Sequence, residues 1–171
     1  MRKAAEWALT AAFSLAIYLL LVLWTGSFGL WSPAEFIAGL VLAALAGLVA
    51  GRFLWERGGF RMLQPHRWPL FLFYILGPFF WAMAKANLDV AYRVITGRIR
   101  PGIVRFNPGL QTDLGRTLLA NSITLTPGTL TVDVDDTTGD FYVHWINVTA
   151  EDPKPEQVCG AFPIWARRIA E

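Results

Sequence analysis

The sequence predicts an α+β membrane protein: two N-terminal transmembrane helices, a third hydrophobic segment that is kinked or partly inserted, and a small cytoplasmic α+β domain. Three observations predict it. The first half is filled by long uncharged runs, Trp7 to Ala34, Phe36 to Gly51 and Trp68 to Ala84. Arginines gather between those runs. After Gly97 the composition changes to Thr-rich apolar alternation punctuated by Pro-Gly. In total, 54% of the 171 residues are hydrophobic and only 16% charged, against roughly 45–50% apolar in an average soluble domain.

The first segment is WALTAAFSLAIYLLLVLW, Trp7 to Trp24. It nearly supplies the roughly 20 apolar residues a spanning helix needs, and its two tryptophans sit where amphipathic rings favour the lipid–water boundary. No small-residue cleavage site follows, so it reads as a retained anchor rather than a signal peptide. The second begins at Ser32-Pro33-Ala34-Glu35, with Ser32 as N-cap, Pro33 at N1 and Glu35 closing a capping box. Gly39, Ala43 and Gly47 recur at four-residue spacing and Gly51 extends them. Such a stripe forms a face that another helix can approach closely.

Arg2 and Lys3 precede the first segment, and Arg52, Arg57, Arg61 and Arg67 follow the second, whereas Thr25 to Ser32 carries no charge. The positive-inside rule places the N-terminus and the Arg-rich connection in the cytoplasm. The third segment, from Trp68, conflicts with a simple crossing. Lys85, Arg93, Arg98, Arg100 and Arg105 follow its apolar part, and the same rule wants them inside too. Gly77-Pro78 near its middle predicts a kink or break. A segment hinged there that enters and returns, or one lying along the interface, satisfies both signals; a full crossing violates the charge rule. Lys85 and Asp89, at i,i+4, read as a simple ion pair, with an ion-pathway role as the alternative.

In the soluble part, Ile103 to Phe106 reads as a strand. Gln111 to Ser122 reads as a helix with Thr112 as N-cap and Leu110, Leu114 and Leu118 on one face. Ile123 to Asp136 reads as a β-hairpin, its threonines favouring extended backbone by β-branching and Pro127-Gly128 fitting a type II turn. Asp135 to Asp140 is a second turn and Phe141 to Val148 the last strand. Glu151 to Gln157 reads as a charged linker, and FPIWARRIAE as a short helix with Ile164, Trp165 and Ile169 apolar. The domains are therefore a membrane domain at 1–97, with helices at about 5–25, 33–55 and 68–96, an α+β domain at 98–150, and a linker with terminal helix at 151–171.

A search for chemistry finds little. Asp133, Asp135, Asp136 and Asp140 cluster, but Thr138 and His144 stand where an EF-hand needs Gly and Glu. His66 and His144 have no nearby cysteine to complete a metal site. Ser122 has no nucleophile elbow, and no Gly-rich phosphate loop is present. Cys159 is the single cysteine and has no adjacent basic partner. No catalytic, metal or cofactor site is assigned. The arginines after Thr96 suit anionic headgroups better than nucleic acid, since no groove-reading motif accompanies them.

ANSITLTPGTLTVDVDD followed by FYVHWINV, with ANLDVAYRVI upstream, closely resembles the E-type subunit of the Mrp-type (Mnh or Pha) multisubunit cation/proton antiporters. The resemblance covers nearly the whole chain. It implies a small component of an assembly that exchanges Na+, or in some members K+, for protons across the bacterial cytoplasmic membrane. Its partners would be the other subunits and the bilayer, with no small-molecule substrate of its own and no nucleic acid. The family assigns this component no established catalytic residues. The residues expected to matter for assembly are Asn121, Thr126, Pro127, Gly128, Thr129, His144 and Trp145, with Gly39, Ala43 and Gly47 as the packing face. The alternative is a membrane-anchored ligand-binding or enzymatic module using His144 and the acidic residues Asp133 to Asp140.

Overall fold

The computed structural model describes residues 2–23, 31–53 and 67–171. The expectations on Trp24, Arg57, Arg61 and His66 fall outside them. The chain divides into two compact units, Met1–Leu63 and Gln64–Glu171.

The first unit is a helical hairpin of α1 (Arg2–Val22) and α2 (Pro33–Phe53), each of 21 residues. At 1.5 Å per residue each is about 32 Å long, close to the roughly 30 Å of a hydrocarbon core. The α2 start is a reciprocal box: the Glu35 N–H donates to Ser32 Oγ at 3.2 Å, and the Ser32 N–H to the Glu35 carboxylate at 2.7 Å. The helices run antiparallel. Trp7 lies against Gly47, while Leu15 and Tyr18 lie against Gly39. Gly39, Ala43, Gly47 and Ala50 are buried, and Ile37, Val41, Leu48 and Val49 point outward and are more than half exposed. Only a surround that does not penalise apolar surface suits that exterior.

The second unit opens with α3 (Trp68–Tyr74), a π-helical turn (Ile75–Phe79) and α4 (Phe80–Thr96). Together they form one continuous helix of 29 residues. The break expected at Gly77-Pro78 does not occur. Pro78 has no N–H and its ring would strike the carbonyl four residues back; widening the ladder by one residue removes both problems while the helix continues. Gly97, at φ 68°, ends it in the left-handed conformation, its N–H donating to the Arg93 carbonyl at 2.8 Å.

Next come β1 (Gly102–Phe106), α5 (Asp113–Thr124), β2 (Thr129–Val134), β3 (Phe141–Trp145), α6 (Pro155–Cys159) and α7 (Phe162–Ala170). The strands form an antiparallel sheet in the order β1-β3-β2. Val104, Phe106, Phe141 and Val143 are buried on its inner face, and Leu119 and Ile123 of α5 with Phe162, Ala166 and Ile169 of α7 complete the core. Tyr74 and Phe79 of the long helix join it, through ring contacts of Tyr74 with Phe79, Phe162 and Trp165 at 5.8–6.3 Å.

Several sequence expectations are corrected. The stretch from Ile123 is not a first hairpin strand, because α5 continues to Thr124. Ile123 is a fully buried helical residue and Leu125 is 63% exposed. Helical periodicity from Leu119 to Ile123 prevails over β-branching, because it places both in the core. The core face of α5 is Gly115, Leu119, Ser122 and Ile123, not Leu114 and Leu118; Leu110 is buried but precedes the helix. Part of the expected linker is helical from Pro155, where the Lys154 N–H donates to Gln157 Oε1 at 2.8 Å. On α7, Ile164 points outward, 49% exposed. The long helix also belongs to the compact unit of the sheet, where the sequence pattern groups it with the first two segments.

Candidate interaction site at the Thr-Pro-Gly-Thr turn

The turn at Thr126–Thr129 joins α5 to β2. Gly128 has φ 89°, the left-handed value a type II turn requires at its third position, and the Thr129 N–H closes it on the Thr126 carbonyl at 3.3 Å. The threonines do more than extend the backbone. The last carbonyls of a helix lack intrahelical partners, and here hydroxyls supply them. Thr126 Oγ1 donates to the Ser122 carbonyl at 2.7 Å and Thr129 Oγ1 to the Ile123 carbonyl at 2.8 Å, while Thr131 Oγ1 adds a bond to the Ala120 carbonyl, one residue earlier in the helix than the unpaired ones, at 3.1 Å. The Thr131 N–H donates to Thr124 Oγ1 at 3.2 Å, so the same group of residues ties β2 to α5. The Thr-rich pattern is a helix C-terminal cap as well as a strand, which alternation alone does not reveal.

The capped end of α5 packs on the long helix. Ser122 Oγ donates to the Leu118 carbonyl at 2.7 Å and lies 2.6 Å from the Tyr74 hydroxyl. With the serine proton already committed, Tyr74 is the donor in that pair. A Cβ on Gly128 would lie 3.2 Å from Val90 Cγ2 and 3.0 Å from Ile146 Cγ2, so the turn sits tight against α4. Between them is a half-open cleft of about 330 Å³, lined by Ala82, Ala86 and Asp89 of α4, the turn, Trp145, and the stretch from Gln157 to Phe162. Asp89 is held in two bonds by Arg93, at 2.6 and 3.0 Å. The expected Lys85–Asp89 pairing is thus replaced by the next i,i+4 partner, whose planar fork matches a carboxylate.

The remaining candidates do not converge. His144 stands on the outer sheet face with Ile103 and Leu130 as its cross-strand neighbours. Trp145 is opposite Gly102 and Thr129. Asn121 is exposed, and its carbonyl accepts from the Leu125 N–H at 2.9 Å.

Three of the four acidic residues accept bonds through their carboxylates. Asp133 accepts from the Val134 N–H. Asp135 accepts from the Thr137 hydroxyl and from the Thr137 and Thr138 N–H groups, which pull its pKa down to about 2. Asp140 is held by Asn107 Nδ2 at 2.8 Å and by Arg105 at 2.5 and 2.9 Å; these bonds, that from Asn107 foremost, lower its pKa. Among the described residues no group of three His, Cys, Asp or Glu is placed to hold a metal ion. Cys159 is buried and donates to the Pro155 carbonyl at 3.1 Å; burial pushes its pKa up to about 12, which removes the thiolate a nucleophile needs. The cleft can bind a surface, but it holds no activated nucleophile or acid–base pair.

The Arg105–Asp140–Asn107 cluster and the Tyr74–Ser122 bond are not legible in the sequence, since their members lie 33 to 48 residues apart. A polar residue on the core face of α5 is the available signal for Ser122.

Comparison with known proteins places this architecture. Residues 13–169 match the family MNHE, described as Na+/H+ ion antiporter subunit. The E-type subunit of the Na+/H+ antiporter of Alkalihalophilus pseudofirmus is 33% identical over 140 residues, covering 80% of this chain and 85% of that protein. The E1-type subunit of the Na+/H+ antiporter of Staphylococcus saprophyticus is 28% identical over 160 residues, covering 90% and 93%. Among solved structures, a chain of the membrane-bound sulfane sulfur reductase, an archaeal respiratory membrane complex, is 35% identical with a TM-score of 0.69, covering 94% of this chain and 98% of that one.

Proposed function

The chain belongs to the MNHE family of Na+/H+ ion antiporter subunits, and from that premise we propose that it is a non-catalytic membrane subunit needed to assemble and stabilise a complex exchanging Na+ or K+ for protons. One observation carries the reading. Thr126 and Thr129 cap α5, Thr131 ties β2 to it, and Gly128 fits the turn against Val90. The most distinctive block of the sequence therefore builds a surface packed against the long helix rather than a cluster of catalytic groups. Function has to be argued from a site, and the site here is a shape. The partners are the other subunits, and the setting is the bacterial cytoplasmic membrane with the N-terminus and the α+β unit on the cytoplasmic side.

The test is co-purification from cells expressing every subunit of the antiporter. Replacing Pro127 by Gly loosens the turn without adding bulk. Loss of the other subunits from the tagged protein, together with loss of cation tolerance, is the expected result. Full assembly with Pro127→Gly would reduce the turn to local scaffolding. Recovery of the unaltered chain free of all other subunits would overturn the assembly role.

A further inference from the structure

The 29-residue helix Trp68–Thr96 is long and apolar enough to cross a bilayer, yet its own domain lies along it. Arg67, at its start, donates to the Ile169 carbonyl at 2.5 Å. Phe73 packs on Trp165 at 5.8 Å and Tyr74 bonds Ser122. Sixteen residues beyond Tyr74, Val90 meets the Gly128 turn. From Arg67 to Val90 the domain follows the helix for about 35 Å, more than the roughly 30 Å of a hydrocarbon core. A perpendicular crossing would carry the domain into lipid with it. That would include Arg168, whose guanidinium lies 5.5 Å from the Trp165 ring, level with Phe73, and the Asp89–Arg93 pair. Charges there are expensive.

The opposite side of the same helix is bare and apolar. Leu72, Leu76, Phe80, Trp81, Leu88, Tyr92 and Ile95 are between 50% and 85% exposed and form one stripe at helical spacing. With Trp68 at the helix start, its amphipathic rings Trp81 and Tyr92 are distributed along the whole length. In a crossing helix Trp81 would fall near the bilayer centre; in a helix lying flat, all three sit at the interfacial depth their rings prefer. Lys85 and Arg98, the latter beside the Tyr92 hydroxyl at 3.3 Å, flank the stripe as an interfacial helix requires.

We propose that the helix Trp68–Thr96 does not cross the membrane but lies in its plane, with the Leu72–Ile95 stripe embedded in the lipid interface and the α+β unit seated on its other face. The inference needs a bilayer but does not rest on the antiporter reading.

The test is depth measurement on the full-length chain, with Cys159 replaced by Ser, reconstituted in vesicles of phosphatidylethanolamine and phosphatidylglycerol. Nitroxide labels go singly at Leu72, Leu76, Trp81, Leu88 and Ile95, with Ala84 and Ala91 as substitutes for any position that unfolds the protein. Accessibility to oxygen is compared with accessibility to a water-soluble nickel chelate. The expected result is one shallow depth shared by all five positions. A depth that rises to a maximum near Trp81 and falls toward both ends would overturn the proposal in favour of a crossing. Low access to both reagents along the whole stripe would overturn it in favour of a protein neighbour. Because the chain is alone in these vesicles, failure of assembly into a larger complex leaves the readout unaffected.

Discussion

Ser122 and Tyr74 are both nearly inaccessible, at 3% and 1% exposure, and their hydroxyls form a directed chain from Tyr74 to Ser122 to the Leu118 carbonyl. The direction makes the two deletions unequal. Tyr74→Phe removes a donor and leaves Ser122 bonded to Leu118, a loss of about 1 kcal/mol. Ser122→Ala strands a buried phenol O–H, at a cost of about 2 kcal/mol. Thermal unfolding in detergent should rank Ser122→Ala below Tyr74→Phe; equal midpoints would mean that Tyr74 finds another acceptor. The acidic loop yields a pH prediction of definite sign. Asp135 has a pKa of about 2 in the fold against 3.8 for an unperturbed carboxyl. As pH falls, the unfolded chain takes up this proton first, so the stabilisation is complete above about pH 4 and is lost down to about pH 2. Asp140 shifts in the same direction. Asp135→Asn should therefore flatten the acid limb of the unfolding midpoint; an unchanged limb would show that the Thr137 and Thr138 bonds are not selective for the charged form.

At the scale of elements, glycines with and without neighbours separate packing from backbone effects. A Cβ at Gly39 would stand 2.7 Å from Tyr18 Cδ1 and 3.0 Å from Leu15 Cδ1, whereas one at Gly77 meets nothing within 4 Å. Gly39→Val should destabilise the α1–α2 pairing by about 1–3 kcal/mol. Gly77→Ala should be neutral or stabilising by up to about 1 kcal/mol, the usual helix preference for Ala. Calorimetry of both proteins in one detergent checks the contrast, and equal effects would remove the packing explanation. The stripe at Gly39, Ala43 and Gly47 is visible in the sequence because helix periodicity is local. The three-strand sheet is visible through alternation and the turn at Asp135–Asp140. What the sequence hides is non-local. Whether Ile123 is a strand or a helix residue depends on Leu119 and the α7 core, and whether Thr129 is a strand former or a cap depends on where α5 ends. Pro78 misleads for a related reason: a proline in an apolar helix reads as a break, and only the widened turn shows how the ladder accommodates it.

For the whole molecule, the distribution of charge yields the last prediction. Basic residues stand before the first segment, after the second, and after the apolar part of the third: Arg2 and Lys3; Arg52, Arg57, Arg61 and Arg67; then Lys85, Arg93, Arg98, Arg100 and Arg105. With three crossings the last group lies opposite the others, against the positive-inside tendency. With two crossings and a third helix in the membrane plane, all three groups share the cytoplasmic side. The negative potential of that leaflet then attracts the juxtamembrane arginines. Sidedness can be read at Thr138, an exposed residue in the β2–β3 loop. A cysteine placed there, with Cys159 replaced by Ser, should resist a membrane-impermeant maleimide added to intact cells and react fully in inverted vesicles. Reaction in intact cells would place the sheet outside and require an odd number of crossings. Depth and sidedness are independent readouts, so a flat helix on the wrong face and a crossing helix give different pairs of results.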